Sequence, residues 1–199
     1  MRRVLAVSAL SLALCVACSP GTQTANAAAT PEVAATRAGA TAEDARLNAW
    51  FEKKWEEQLE FSPIQATFLG RKDNYGELDD LSREAAKKQL AWRAAAVEEM
   101  QSSFDYEALG DGAKLSWDLF EYQLAAAQRA DRFSDHFYPF EQMGGMQGQL
   151  PTFLINFHKV ESESDYEAYV SRLGQVERAF GQLMDQVKRS AELGIRPPR

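Results

Sequence analysis

Apolar residues recur every three or four positions along nearly all of the chain after residue 40, and this spacing most limits what the chain can fold into. It matches the α-helical period, whereas a half-buried strand would alternate apolar and polar residues, a pattern missing from the body of the sequence. The spacing therefore predicts an all-α fold, an irregular helical bundle over residues 41–199. The apolar stripes expected to be buried include Leu47, Phe51, Trp55 and Leu59; Ala86, Leu90, Val97 and Met100; Leu115, Leu119, Tyr122 and Ala126; and Tyr169, Val170, Leu173, Val176, Phe180, Leu183 and Met184.

Residues typical of helix ends divide this pattern into separate helices. A Ser or Thr side chain can accept a hydrogen bond from the free amides of a first turn, and a Glu three residues later completes a capping box. Glycine after the last turn allows the left-handed backbone that ends many helices. The predicted starts are Thr41, Ser62, Ser82 and Ser164, the last paired with Glu167, and the predicted stops are Gly70 and Gly194.

One segment, residues 136–151, departs from the helical pattern. It holds two prolines and three glycines, which predict irregular backbone, yet it is too apolar for a solvated loop. One interpretation is a hydrophobic crossover between helices. The other is the wall of a substrate cleft, because glycine lets a ligand approach the backbone closely and loops often carry binding sites. The candidate cleft residues are Tyr138, Gln142, Gly144 and Gly145.

The chemistry available to the body of the chain is narrow. Both cysteines, Cys15 and Cys18, lie near the N-terminus, and the only histidines are His136 and His158. A disulfide framework, a cysteine nucleophile in the body and a three-histidine metal site are thereby excluded. We predict no catalytic residue and no metal ligand, and we expect each histidine to be a structural hydrogen-bonding residue. The net charge of -7 opposes nucleic-acid binding.

The N-terminus has the features of an export signal. Arg2 and Arg3 precede an uncharged apolar run over residues 4–17, which is too short for a membrane-spanning helix. Val16-Ala17-Cys18 resembles a bacterial lipobox, so residues 1–17 are predicted to be a lipoprotein signal peptide and Cys18 the lipidated residue. The alternative is an ordinary signal peptide cleaved after residue 27, where the sequence reads Ala-Asn-Ala.

Residues 18–40 consist mostly of small residues, proline and threonine. Such a segment has little apolar surface to bury and is predicted to be a disordered tether. The chain is thus expected to be exported to the bacterial cell envelope and bound to a membrane through its lipid anchor.

Five groups of short motifs lie in order between residues 61 and 198. They are Phe61-Ser62-Pro63-x-x-Ala66-Thr67-x-Leu69-Gly70; Leu78-Asp79-Asp80-Leu81-Ser82; Tyr138-Pro139, Gln142-x-Gly144-Gly145 and Gln149-Leu150-Pro151; Tyr169-x-x-Arg172-Leu173; and Gly194-Ile195-x-Pro197-Pro198. Together they resemble the N-terminal part of a bacterial family known as domain of unknown function 885. The resemblance implies a larger, zincin-like helical fold and a zinc metallopeptidase acting on peptides, often as an exported lipoprotein.

The resemblance also implies that the catalytic residues lie elsewhere. A zincin-like enzyme uses a His-Glu-x-x-His helix to hold zinc, and that motif is expected downstream of the Gly-Ile-x-Pro-Pro element, so none is present in this chain. We therefore expect an incomplete N-terminal helical region that is inactive alone, and whether it belongs to an enzyme stays open. The alternative is a self-contained, membrane-tethered helical module for binding or structure.

Overall fold

The computed structural model describes residues 41–197, which form six α-helices. Two short 3-10 turns, Tyr106–Ala108 and Ser134–His136, lie between them, and residues 41–197 contain no strand. The all-α prediction is therefore confirmed for this part of the chain. The predicted signal peptide, the tether and Cys18 lie outside the described residues. The helices are α1 (Ala42–Leu59), α2 (Pro63–Phe68), α3 (Arg83–Ser103), α4 (Asp111–Asp131), α5 (Met146–Asn156) and α6 (Glu163–Glu192).

Most of the predicted helix ends are confirmed. At the start of α1, Thr41 Oγ1 accepts from the Asp44 amide at 3.0 Å, and the Asp44 carboxylate accepts from the Thr41 amide at 2.8 Å. This reciprocal pair satisfies two amides that the helix leaves free. The other confirmed ends are the caps Ser62 and Ser82 and the stops Gly70 and Gly194, whose φ angles are +77° and +78°.

Two clusters of buried apolar side chains hold the helices together. The first lies among α1, α3 and α4, with Trp50 at its centre in edge-to-face contact with three phenylalanine rings. The second joins α5 and α6 to the loop that precedes α3. The first comprises Leu47, Trp50, Ala96, Met100, Leu109, Ala113 and Trp117, and the second Leu78, Leu150, Phe153, Leu154 and Ala179.

The predicted start of the last helix at Ser164 is wrong by two residues. Ser162 caps α6 instead, and its Oγ accepts from the Asp165 amide at 3.2 Å. The Asp165 carboxylate accepts from the Glu161 amide at 3.0 Å. Asp165 lies two residues before the predicted capping partner, Glu167, so the first turn begins two residues earlier as well.

Part of the segment predicted to be irregular is helical. Residues 137–145 are irregular, but α5 begins at Met146 and contains Pro151. A proline at this position removes one backbone hydrogen bond, the one its amide would have given to the Gln147 carbonyl. The burial of Leu150, Phe153 and Leu154 compensates for that loss.

Several residues expected to be buried are exposed. Leu115, Leu119 and Tyr122 of α4 are each at least half exposed, because α4 turns Ala113 and Trp117 toward the core instead. On α6 Leu183 is buried as expected, but Arg172 and Ala179, which the expected stripe left out, also turn inward. The other exceptions to the expected burial are Trp55, Ala86, Val170, Leu173 and Met184.

Candidate functional site

A fully buried arginine lies where α2, α6 and the loop between α2 and α3 meet. Arg172 is 0% exposed, and its guanidinium donates to the Glu77 carbonyl at 2.9 Å and to Thr67 Oγ1 at 2.7 Å. Its Cζ lies 4.9 Å from the Tyr75 ring centre and 5.1 Å from that of Phe153. Burial lowers the pKa of Arg172. We call the group formed by Arg172, His158, Thr67, Tyr75 and Asp79 the Arg172 cluster.

The second titratable residue of this cluster is His158, held in one protonation state. Arg172 Nη1 lies 2.8 Å from His158 Nδ1, and since a guanidinium can only donate, Nδ1 accepts. His158 Nε2 therefore carries the proton and donates to the Asp165 carbonyl at 2.9 Å. Burial lowers the pKa of His158, and the nearby positive charge of Arg172 adds to that effect. The expectation that His158 is a structural hydrogen-bonding residue is confirmed.

Carboxylates fix the loop on both sides of the cluster. Asp79 accepts from Ser62 Oγ at 2.7 Å and from the Ile64 amide at 2.9 Å, and burial raises the pKa of this carboxyl. Lys72 Nζ lies 2.9 Å from the Asp165 carboxylate, and this hydrogen bond is the main reason that the pKa of Asp165 falls to about 2. These contacts attach the loop between α2 and α3 to the start of α2 and to the first turn of α6.

The motif residues are gathered in this cluster although they are far apart in sequence. Thr67 and Asp79 belong to the first two motif groups, and Arg172 belongs to the fourth. All their contacts are internal, and every buried side-chain nitrogen and oxygen among the described residues has a hydrogen-bond partner. The Arg172 cluster therefore stabilises the fold and presents no group to a ligand.

A groove lies on the side of the molecule formed by the irregular segment and the chain after α6. It consists of two hollows of about 530 and 600 Å³ that share Tyr138, Phe140 and Pro197, and we call it the Tyr138 groove. Volumes of this order suit small-molecule or peptide side-chain sites. The Tyr138 hydroxyl donates to the Arg196 carbonyl at 3.0 Å, which ties the two walls together. The remaining lining residues are Phe137, Pro139, Glu141, Gln142, Gln147, Val187, Ser190, Ala191, Ile195 and Arg196.

Two of the four predicted cleft residues line the groove, and the other two lie in the backbone of the irregular segment next to it. Tyr138 and Gln142 line the groove, whereas Gly144 and Gly145 do not. Gly145 is buried at the start of α5, where an added Cβ would lie 2.5 Å from the Glu141 backbone nitrogen. The Gly144 carbonyl accepts a hydrogen bond from the Gln149 side chain. The glycines thus let the irregular segment fold tightly behind the groove.

The Tyr138 groove combines apolar walls with a few polar groups. Its walls are mainly aromatic and aliphatic, and Gln142 supplies an exposed amide. Glu141 is the one carboxylate among its lining residues, so the groove has no pair of carboxylates for acid–base catalysis.

Zinc does not fit the described residues. Residues 41–197 contain no group of three His, Cys, Asp or Glu side chains that could hold a metal ion. His158 uses both ring nitrogens in hydrogen bonds, so neither is available as a ligand. We therefore derive no metal-dependent step for this part of the chain.

Each helix within residues 41–197 is too short or too polar to cross a membrane.

Comparison with known proteins identifies one family. The family model described as "Bacterial protein of unknown function (DUF885)" matches residues 63–199, which include the Arg172 cluster and the Tyr138 groove. Neither the curated proteins nor the solved structures contain a match to the chain.

Proposed function

Because the chain belongs to the bacterial family DUF885, we propose that it is the N-terminal helical region of an exported, lipid-anchored zinc peptidase, in which it binds the peptide substrate. Its contribution is the wall of the substrate site. The zinc ligands and the catalytic base would have to come from residues outside 41–197, since those residues hold no metal-binding group. The observation that carries the proposal is the Tyr138 groove.

Two features of the groove suit an extended peptide. Val187, Ala191 and Ile195 line a hollow large enough for an apolar side chain. Tyr138 and Gln142 place a phenol ring and an amide along the wall, where they can pack on and hydrogen-bond to a peptide backbone. Two of the five motif groups contribute to these walls, which links the groove to the family resemblance.

Replacing Tyr138 with alanine is expected to weaken peptide binding about tenfold or more, because an aromatic anchor at the centre of an interface carries much of the binding energy. The probe is a panel of fluorescent, unstructured octapeptides rich in Leu, Phe and Val. Their binding to the purified chain is measured by fluorescence anisotropy. The matched control is Tyr166→Ala, which removes an exposed tyrosine that does not line the groove. Peptide binding that is absent, or equal in both variants, would contradict the proposal.

Replacing Cys18 with serine is expected to abolish lipid attachment and move the chain from the membrane fraction to the soluble fraction. The reason is that several acyl chains on one cysteine anchor a protein stably, whereas the acidic body has no electrostatic attraction to anionic lipid. Metabolic labelling with an alkyne fatty acid measures the modification, and Cys15→Ser is the matched control. Labelling that survives Cys18→Ser would refute the lipobox assignment.

The second candidate function is a self-contained, tethered binding module. It is favoured by the two apolar clusters and by the complete pairing of buried side-chain polar atoms in residues 41–197. Sequencing the gene beyond the codon for Arg199 distinguishes the two candidate functions. A continuing frame that encodes His-Glu-x-x-His supports the peptidase, and a frame without it supports the module.

A further inference from the structure

Trp55 differs from the other three tryptophans of the chain. Each of the other three donates its indole N–H to a glutamate carboxylate, and each is buried or half-buried. Trp55 is 41% exposed, and its N–H has no acceptor within residues 41–197. Since a tryptophan combines a large apolar surface with one donor, an exposed ring of this kind is available to a ligand. The paired tryptophans are Trp50 with Glu99 at 2.7 Å, Trp92 with Glu57 at 3.1 Å and Trp117 with Glu121 at 3.0 Å.

The Trp55 ring borders a hollow of about 490 Å³ between α1 and α4, which we call the Trp55 hollow. Phe51 and Phe120 also line it, and their ring centres lie 5.3 Å apart. Both rings pack against the first apolar cluster, which supports this aromatic surface from beneath. The hollow shares no lining residue with the Tyr138 groove.

Polar side chains with unused hydrogen-bonding capacity surround the aromatic surface. Glu52 and Gln58 line the hollow, and neither side chain has a partner within residues 41–197. Gln123 accepts from Arg93 at 3.1 Å through its oxygen, so its NH₂ group stays available. Together with the Trp55 N–H, the hollow offers both donors and acceptors beside an apolar face.

The charges of the hollow disfavour an anion. Lys54 lines it, but its ammonium lies 3.0 Å from Glu57 and 2.8 Å from Glu99, so two carboxylates already neutralise it. The acidic Glu52 adds a negative charge at the same place. A wholly apolar ligand is also disfavoured, because it would strip water from the Trp55 N–H and from Gln58 without replacing their hydrogen bonds.

From this arrangement we propose that the Trp55 hollow is a binding site for a neutral carbohydrate. A sugar ring presents a face of C–H groups, which packs on an indole, and an edge of hydroxyls, which both donate and accept hydrogen bonds. Glu52 and Gln58 accept from and donate to those hydroxyls, and the volume of the hollow accommodates one or two rings. The proposal does not depend on the peptidase function.

The test is a titration of the full chain with cellotetraose, maltotetraose and chitotriose. Binding is measured by the change in tryptophan emission and by calorimetry. At least one of these sugars is expected to bind and to change the emission of the exposed indole. Trp55→Ala is expected to weaken binding about tenfold or more, as for a residue that carries much of the contact. Trp55→Phe is expected to keep part of the affinity, since it preserves the ring and removes the N–H donor.

The matched control is Tyr122→Ala on α4, which removes an exposed aromatic side chain outside the hollow and is expected to leave sugar binding unchanged. If Trp55→Ala does not fold, the sugar affinities of Trp55→Phe and Gln58→Ala test the site instead. The proposal is overturned if none of the three sugars binds, or if Trp55→Phe and Gln58→Ala bind them as tightly as the natural chain.

Discussion

Replacing Arg172 with methionine is expected to lower the free energy of unfolding by about 3 kcal/mol or more, because it leaves several buried acceptors without a donor. Arg172 is 0% exposed, and its guanidinium donates to His158, Thr67 and the Glu77 carbonyl. The Thr67 and His158 acceptors are buried and cannot turn to water when the arginine is lost, whereas the Glu77 carbonyl is only partly buried. Each one costs about 1–3 kcal/mol when it stays buried and unpaired, and relief of the arginine's own desolvation offsets part of the sum.

Urea unfolding followed by circular dichroism measures this effect, and the corresponding fall in Tm is about 6 to 12 °C for a body of this size. The control is Lys188→Met, which makes the same kind of change at an exposed position of α6. Within residues 41–197 Lys188 pairs only with exposed Asp185, so its loss should cost less than about 1 kcal/mol. Equal losses for the two variants would show that the Arg172 cluster does not stabilise the fold.

The helices of this chain could be predicted because the signals that form them are local. The cap at Thr41 and the stop at Gly194 act within one turn of the helix end, and the sequence shows them directly. The choice of the buried face is not local. On α4, Leu115 and Leu119 form as good an apolar stripe as Trp117 and its neighbours, and packing against α1 and α3 decides between them.

The Tyr138 groove could be predicted only in part. The glycines and prolines of residues 136–151 indicated irregular backbone, and Tyr138 and Gln142 do line a groove. The opposite wall comes from the end of α6 and from residues 195–197, and no local pattern relates that region to Tyr138. The helical turns at Met146 were missed because the buried face of α5 outweighs the missing amide of Pro151.

The Arg172 cluster was beyond prediction from spacing for the same reason. Arg172 lies on α6 at a position that the apolar stripe left out, and its partners Glu77 and Thr67 are 95 and 105 residues away along the chain. One signal was available, since Asp165, Arg172 and Ala179 are seven residues apart and so share one face of a helix. A charged residue on a buried face needs buried partners, but the sequence does not say which.

The pH dependence of stability should identify His158 as an acid-sensitive part of this cluster. Burial lowers its pKa in the folded chain, whereas in the unfolded chain the value is about 6.5. Above about pH 6.5 neither state binds the proton, and the full stability is present. As the pH falls below that value the unfolded state takes up the proton first, so stability decreases until the folded pKa is passed.

The geometry gives the reason for this resistance to protonation. A proton on His158 Nδ1 would face the Arg172 Nη1 donor across 2.8 Å, which places two donors and two positive charges together. Lys72 adds a further positive charge, and the Asp165 charge partly opposes both. The two remaining titratable groups in contact are the rings of Tyr75, stacked at 4.1 Å, and Tyr169, edge-on at 5.2 Å.

His158→Asn is expected to flatten the decrease in urea midpoint between about pH 8 and pH 5.5, because asparagine can accept from Arg172 but does not titrate. His136→Asn is the control, since His136 is exposed and its replacement should leave the slope unchanged. Neither Asp165 nor Asp79 can cause the same loss of stability between about pH 8 and pH 5.5. The pKa of Asp165 is about 2, and that of Asp79 is raised, which makes stability increase rather than decrease on acidification. A slope that survives His158→Asn would show that another group governs the response.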